Sequence, residues 1–273
     1  MLCHHKARNL VVNRGKQNVS QTIKGKIALV TGGSRNIGRE TALALGKMGA
    51  NIVVTYVQNQ AEAVGTVEEL RLLGVKAKAI QVNFTGTSEL ESFATKFKAL
   101  LSEWGRSDFD ILINNAGTIK LGTFDAITEE DLDAIYQINY KSVFFLTQKL
   151  MGDIVNGGRI VNLGSGTAEI AFAPMVAYGP IKAAIQSLTR YLASSLGERK
   201  ITVNAVAPGG LDDDFNSGLF EQMSSAKDYI KSNTAIGRIG KPNDIGRVIA
   251  FLCTDEAAFI NGAIIPIDGG YHL

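Results

Sequence analysis

From residue 24 onward, short apolar runs alternate with longer stretches of helical spacing. The runs at 26–31 (KIALVT), 51–56 (NIVVTY), 76–82, 109–115 (FDILINN), 159–164, 201–206 and 264–267 are rich in β-branched residues and have strand length. Between them, residues 37–49, 61–73, 88–104, 129–153 and 176–196 carry apolar side chains at helical intervals. Gly49 and Gly74 close the first two of these helices. Most of the strand runs are apolar throughout, not at every second position, so both faces of the sheet are expected to be covered. Strands separated by helices of this length imply right-handed crossovers. The expected architecture is α/β and doubly wound, a seven-stranded, mostly parallel sheet with helices on both faces. No linker or compositional break interrupts it, so residues 23–273 are expected to form one domain.

The first 22 residues differ: they hold Lys6, Arg8, Arg14 and Lys16 and no acidic residue. They are read as a basic, mobile extension. The alternative, a transit peptide, is weakened by few Ser and Ala and by the lack of an amphipathic period.

Composition narrows the function. The 273 residues are 45% hydrophobic and 20% charged, which suits a globular protein with a substantial core. No apolar stretch approaches the roughly 20 residues of a membrane span. A net charge of +2 argues against nucleic acid or an anionic membrane as partner. Two cysteines, Cys3 and Cys253, suit a reducing cytoplasm. The three histidines, His4, His5 and His272, lie at the termini, so no metal site is expected.

The first strand runs into Thr31-Gly32-Gly33-Ser34-Arg35-Asn36-Ile37-Gly38 and then a helix. Such a turn offers free backbone N–H groups and the positive end of a helix to a pyrophosphate. Its place in the first βα unit fits a dinucleotide-binding Rossmann fold. Asn36 is the non-glycine type that best tolerates positive φ.

Tyr178 and Lys182 are four residues apart at the start of a long helix, which puts them on one face. A free tyrosine has a pKa near 10. A neighbouring ammonium would lower it and make the phenol a usable proton donor and acceptor. Ser165 ends the fifth strand, where a parallel sheet presents residues to its ligand crevice. Alone, each reading has a plain competitor: an exposed helix pair, or a capping serine.

Together these motifs resemble the short-chain dehydrogenase/reductase family. Its TGxxxGxG turn is matched at Thr31, Gly32 and Gly38, with Asn36 replacing the middle glycine. Asn114-Asn115-Ala116-Gly117, Pro208-Gly209, and the close from Asn261-Gly262 to Asp268-Gly269-Gly270 also resemble the family. The resemblance spans residues 24–271. It implies Ser165, Tyr178, Lys182 and Asn139 as the catalytic set, with Asn139 ordering a proton path. It implies cofactor contacts from Gly32, Ser34, Arg35, Asn36, Ile37, Gly38, Tyr56, Asn83, Asn115, Ala116, Gly117, Tyr178, Lys182, Pro208 and Gly209. Asn83 stands where the family usually has Asp.

An NAD-preferring site usually has a carboxylate after the second strand. Here that strand ends Val54-Thr55-Tyr56-Val57-Gln58, and Arg35 and Ser34 sit nearby to meet a 2′-phosphate. NADP(H) is therefore favoured over NAD(H).

The expected activity is interconversion of a small-molecule carbonyl and alcohol. A 3-oxoacyl-carrier-protein reductase is the alternative. It is disfavoured because Asn156 replaces one family arginine, although Arg199 remains. A catalytically silent nucleotide-binding protein is the alternative from another class. Residues 210–235 are expected to cover the substrate. The triplet Asp212-Asp213-Asp214 within them either disfavours anionic substrates or forms a solvated face. Pro180 is expected in the first helical turn and beside the substrate pocket. Surplus apolar residues on the two long helices (Val143, Phe144, Phe145, Leu146; Ile185, Leu188, Tyr191, Leu192) suggest a subunit interface, against the simpler reading of a broad core stripe, and the family resemblance implies a homo-oligomer paired through these helices, a tetramer or dimer.

Overall fold

The computed structural model describes residues 23–273, and the basic extension lies outside the described residues. Strands β1 (Ile27–Val30), β2 (Asn51–Tyr56) and β3 (Ala77–Gln81) alternate with helices α1 (Asn36–Lys47), α2 (Gln60–Leu72) and α3 (Thr87–Glu103). Then come β4 (Phe109–Asn114), α4 (Glu129–Tyr136), a π-helical segment (Gln137–Lys141), α5 (Ser142–Leu150) and β5 (Ile154–Leu163). The chain ends with α6 (Tyr178–Leu196), β6 (Thr202–Pro208), α7 (Ser217–Gln222), α8 (Ala226–Ser232), α9 (Pro242–Leu252) and β7 (Ile264–Ile267). All seven strands are parallel, in the order β3-β2-β1-β4-β5-β6-β7. The order reverses between β1 and β4, and a crevice opens there beyond the strand C-termini.

Successive β1 residues feed opposite cores, which is why that run is apolar throughout. Ala28 and Val30 join Ala42 and Leu45 of α1 and Ile245 and Ile249 of α9. Ile27 and Leu29 join Phe93, Phe97 and Leu101 of α3 and Leu146 and Leu150 of α5. No described helix is long and apolar enough to cross a membrane.

The structure departs from the sequence reading at four places. The helix expected over 129–153 is split by the π-helical turn that holds Asn139, and it stops at Leu150. Strand β5 begins at Ile154, five residues early, through a Gly-Gly stretch without apolar periodicity and a register shift opposite Phe109 and Ile111. Helix α6 starts at Tyr178, so Pro180 does lie in its first turn, where its missing N–H costs little. Pro180 is exposed, however, and does not line the cavity described below. Of the apolar surplus on α5 and α6, Val143, Leu146, Ile185 and Leu188 are buried in the chain's own core, whereas Phe144 and Tyr191 are 37% and 72% exposed.

Buried polar side chains tie the layers together. Asn114 Nδ2 donates to Thr147 Oγ1 (3.1 Å) and to Asn162 Oδ1 (2.8 Å), and Asn162 Nδ2 donates to Thr189 Oγ1 (2.9 Å). The chain runs from α5 through β4 and β5 to α6. Arg159, 5% exposed, donates to the carbonyls of Gly157, Gly158 and Thr254 and pairs with Asp255 at 3.3 Å. Arg159→Ala leaves these acceptors without their donor. Urea unfolding should report a loss of about 3 kcal/mol.

Candidate active site

The turn after β1 is shaped by two positive-φ residues, Gly32 (+63°) and Asn36 (+50°). Asparagine thus adopts the conformation expected of it. A Cβ at Gly38 would lie 2.2 Å from the Gly32 carbonyl oxygen and 2.5 Å from Asn115 Nδ2, so the helix can approach the turn this closely only with glycine there. Thr31 Oγ1 accepts from the backbone N–H groups of Asn115 and Ala116 at 2.9 Å each. Asn115 Nδ2 donates to the carbonyls of Thr31 (2.8 Å) and Gly32 (3.0 Å). The loops after β1 and β4 are thereby stitched together across the reversal of strand order. Arg35, the residue before α1, makes no side-chain cap, and the first turn of α1 holds no acidic residue. That end of the helix therefore keeps its attraction for an anion.

A cavity of about 760 Å³ opens above this turn. All fifteen residues expected to contact a cofactor line it. Arg35 is exposed and forms no ion pair among the described residues. Tyr56, Val57, Gln58 and Asn59 form the neighbouring wall without a carboxylate.

Ser165, Tyr178 and Lys182 line the same cavity. Lys182 Nζ donates to the Leu163 carbonyl at 2.7 Å and lies 5.5 Å from the centroid of the Tyr178 ring. Burial lowers its pKa to about 8. The phenol departs from the sequence expectation: its pKa lies above the ordinary value. Burial is the main cause, the Asp213 carboxylate adds to it, and a hydrogen bond with Ser165 opposes it. A phenolate with little water around it is unfavourable, and an ammonium that is itself destabilised gives it weaker support. The phenol is therefore held in its proton-donating form. Ser165 also caps the short turn Gly166–Ala168: its Oγ accepts from Thr167 N at 3.2 Å and lies 2.8 Å from Thr167 Oγ1. The capping reading and the cavity reading of this serine both hold. Gly179 brings α6 against that turn, since a Cβ there would lie 2.7 Å from the Thr167 carbonyl oxygen.

Asn139 is the exception. It is 1% exposed and does not line the cavity. Its Nδ2 donates to the carbonyls of Thr118 (2.8 Å) and Ile135 (3.0 Å), and its Oδ1 accepts from Thr118 N at 3.3 Å. The π-helical turn aims it at the loop after β4, where it holds the cavity wall at Gly117 and Thr118.

With this geometry in view, comparison with known proteins decides the family. A sequence model described as enoyl-(acyl carrier protein) reductase matches residues 32–272. A short-chain dehydrogenase/reductase from Serratia marcescens superposes with a TM-score of 0.84 at 33% identity, over 92% of this chain and 100% of that one. The chain belongs to the short-chain dehydrogenase/reductase family.

Among its relatives, the trihydroxynaphthalene reductase PfmaI of Pestalotiopsis fici is 32% identical over 92% of this chain and 90% of the relative. The crystal structure of the angucycline C-6 ketoreductase LanV with bound NADP superposes with a TM-score of 0.88 at 34% identity, over 93% of this chain and 98% of that one. The chain is thus an oxidoreductase of the short-chain family, whose chemistry here is carbonyl–alcohol interconversion.

Part of the far end of the cavity comes from the 210–235 segment expected over the substrate, but Phe172, Met175 and the tail residues carry no sequence signal. Phe172, Met175, Phe215, Leu219 and Met223 form an apolar wall there, and Tyr229, Tyr271 and His272 also line it. Phe215, Leu219, Met223 and Tyr229 lie on or beside short helices, Phe172 and Met175 lie in the loop before α6, and the tail returns beside α8, with His272 N donating to the Asn233 carbonyl at 2.9 Å. No local sequence signal marks that return. Arg199, a candidate carrier-protein contact, donates to Asn156 Oδ1 (3.0 Å) and to the carbonyls of Met151 and Ile154.

Proposed function

We propose that this chain is an NADP(H)-dependent ketoreductase for neutral, ring-bearing ketones. One observation carries the reading: Ser165, Tyr178 and Lys182 share a single cavity with the Arg35-bearing glycine turn. The residues fit the cofactor. Gly38 lets the helix close on the turn, the helix end is uncapped, and an exposed guanidinium stands beside the turn, where a 2′-phosphate would be met.

When bound, the reduced nicotinamide supplies hydride to a carbonyl carbon. Ser165 and Tyr178 hold the carbonyl oxygen by hydrogen bonds, and Tyr178 gives it a proton. Lys182 offsets the charge left on the phenol and binds the ribose. Asn139 is a positioning residue that fixes the loop beside the nicotinamide. The apolar far wall favours a flat aromatic or alicyclic substrate over a flexible charged one. That reading agrees with relatives named for hydroxynaphthalene and angucycline reduction. A carrier-protein substrate is less well supported, because Arg199 is already engaged by Asn156 and two carbonyls. Assembly through α5 and α6 belongs to the same proposal, with exposed Phe144 and Tyr191 as contacts and Tyr136 stacked on Tyr140 at 5.5 Å beside them.

The test is NADPH oxidation across a panel of monocyclic and polycyclic ketones. Turnover is expected with several of them, and none with any would favour a silent nucleotide-binding protein. The reductive rate should also fall as pH rises through about 8, where Lys182 loses its proton. Below that pH the ammonium and the phenol are both protonated, the combination reduction requires. A pH profile of kcat/KM for reduction checks this, and a rate that climbs above pH 8 would contradict it.

A further inference from the structure

The triplet Asp212-Asp213-Asp214 separates into one inward and two outward carboxylates. Asp212 is exposed and pairs with Lys227 at 2.7 Å, and Asp214 is exposed at the start of a short helical turn. Neither lines the cavity; Asp213 does, together with Tyr178, Phe215 and Leu219. The Phe215 ring lies 6.1 Å from the Tyr178 ring, which places this segment over the phenol.

Asp213 is held in a fixed pose. Its Oδ1 accepts from Asn216 N (3.1 Å) and from Asn216 Nδ2 (2.7 Å). Both bonds fall on the same oxygen. Among the described residues, Oδ2 accepts no hydrogen bond and no cation pairs with Asp213. The carboxylate is half-buried, so its charge is poorly screened within the cavity. Its field reaches the phenol, where it adds to the upward pressure on the Tyr178 pKa. A carboxylate in this setting accepts hydrogen bonds and repels anions. A ligand that brings an O–H satisfies the spare oxygen, and a ligand that brings a second carboxylate leaves it facing a like charge.

We propose that Asp213 is a specificity-determining residue that selects ketones carrying a hydroxyl donor and rejects ketones carrying an anion. The proposal rests on the ketoreductase reading above, because it places the substrate beside Tyr178. It assigns the spare oxygen to the substrate and not to the cofactor carboxamide, because Asp213 shares its wall with Phe215 and Leu219 of the apolar far end.

The experiment compares a hydroxy-tetralone, the matching methoxy-tetralone and the matching carboxy-tetralone as substrates for the full-length protein with NADPH. Wild type should rank them in that order by kcat/KM. Asp213→Asn keeps an acceptor for Asn216 and removes the charge; Asp213→Ser is a second variant that keeps a small capping oxygen. In either, the hydroxy-to-carboxy ratio should fall at least tenfold, since a like-charge contact at intermediate dielectric costs more than the about 1.4 kcal/mol that a factor of ten represents. The KM for NADPH should move much less than that. An unchanged ratio overturns the proposal. So does a tenfold rise in the NADPH KM at constant ratio, which would give the carboxylate to the cofactor. If wild type turns over none of the three and no ketone of the panel above, the ketoreductase reading fails by itself. Calorimetric binding of the hydroxy and carboxy compounds to the NADP⁺-loaded protein then still decides the role of Asp213: the same loss of preference in the variants supports it, and no preference in wild type overturns it.

Discussion

Tyr178→Phe should lower kcat for NADPH-dependent ketone reduction about a thousandfold, the middle of the range for a positioned general acid. The substitution removes one oxygen from a side chain that is 7% exposed and packs in the cluster of Met175, Ile181 and Leu219. The ring and its packing survive, so the fold and the cofactor turn should be undisturbed. The Kd for NADPH, measured by fluorescence quenching, should stay within about threefold of wild type. The loss belongs to the chemical step, because the phenol is the one buried group beside Ser165 that burial keeps protonated. A variant that retains a tenth of the wild-type kcat would remove Tyr178 from the mechanism.

Arg35→Glu should reverse the cofactor preference. The guanidinium is exposed at the end of α1, lines the cavity and has no carboxylate partner among the described residues. Free in this way, it is available to a 2′-phosphate, and a charge-assisted contact of that kind is worth about 1.5–3 kcal/mol. Glutamate removes the contact and sets a negative charge against the phosphate. The kcat/KM for NADPH should fall about a hundredfold, while that for NADH, which has a hydroxyl there, changes little or improves. Equal losses for both cofactors would mean that Arg35 supports the turn and does not read the phosphate.

Most of the fold was legible because the sheet is buried on both faces, so its strands stand out as apolar runs bounded by glycines. The π-helical turn at 137–141 was hidden, since a single added residue barely changes helical spacing. The early start of β5 was hidden because Val155-Asn156-Gly157-Gly158 carries no strand pattern, and pairing with β4 is what extends it. The glycine-turn part of the cavity was legible from its place in the first βα unit, and the other residues expected at the cofactor came from the family resemblance. The far end was legible only in part: the 210–235 segment was expected over the substrate, whereas Phe172, Met175 and the tail residues Tyr271 and His272 come to it from elsewhere in the chain. The helical spacing of Tyr178 and Lys182 put them on one face, and the family resemblance singled them out; both line the cavity. The balance of charge around them was not legible, since it depends on burial and on Asp213, 35 residues further along the chain.

The most direct measurement is transfer of label from NADPH deuterated at the reactive carbon of its nicotinamide. Wild-type protein, incubated with a bicyclic ketone that it turns over, should place one deuterium, transferred as deuteride, on the new carbinol carbon, and Tyr178→Phe should bind the same cofactor and transfer almost none. Tight NADPH binding by wild type with no deuterium in any product across the ketone panel would contradict the account.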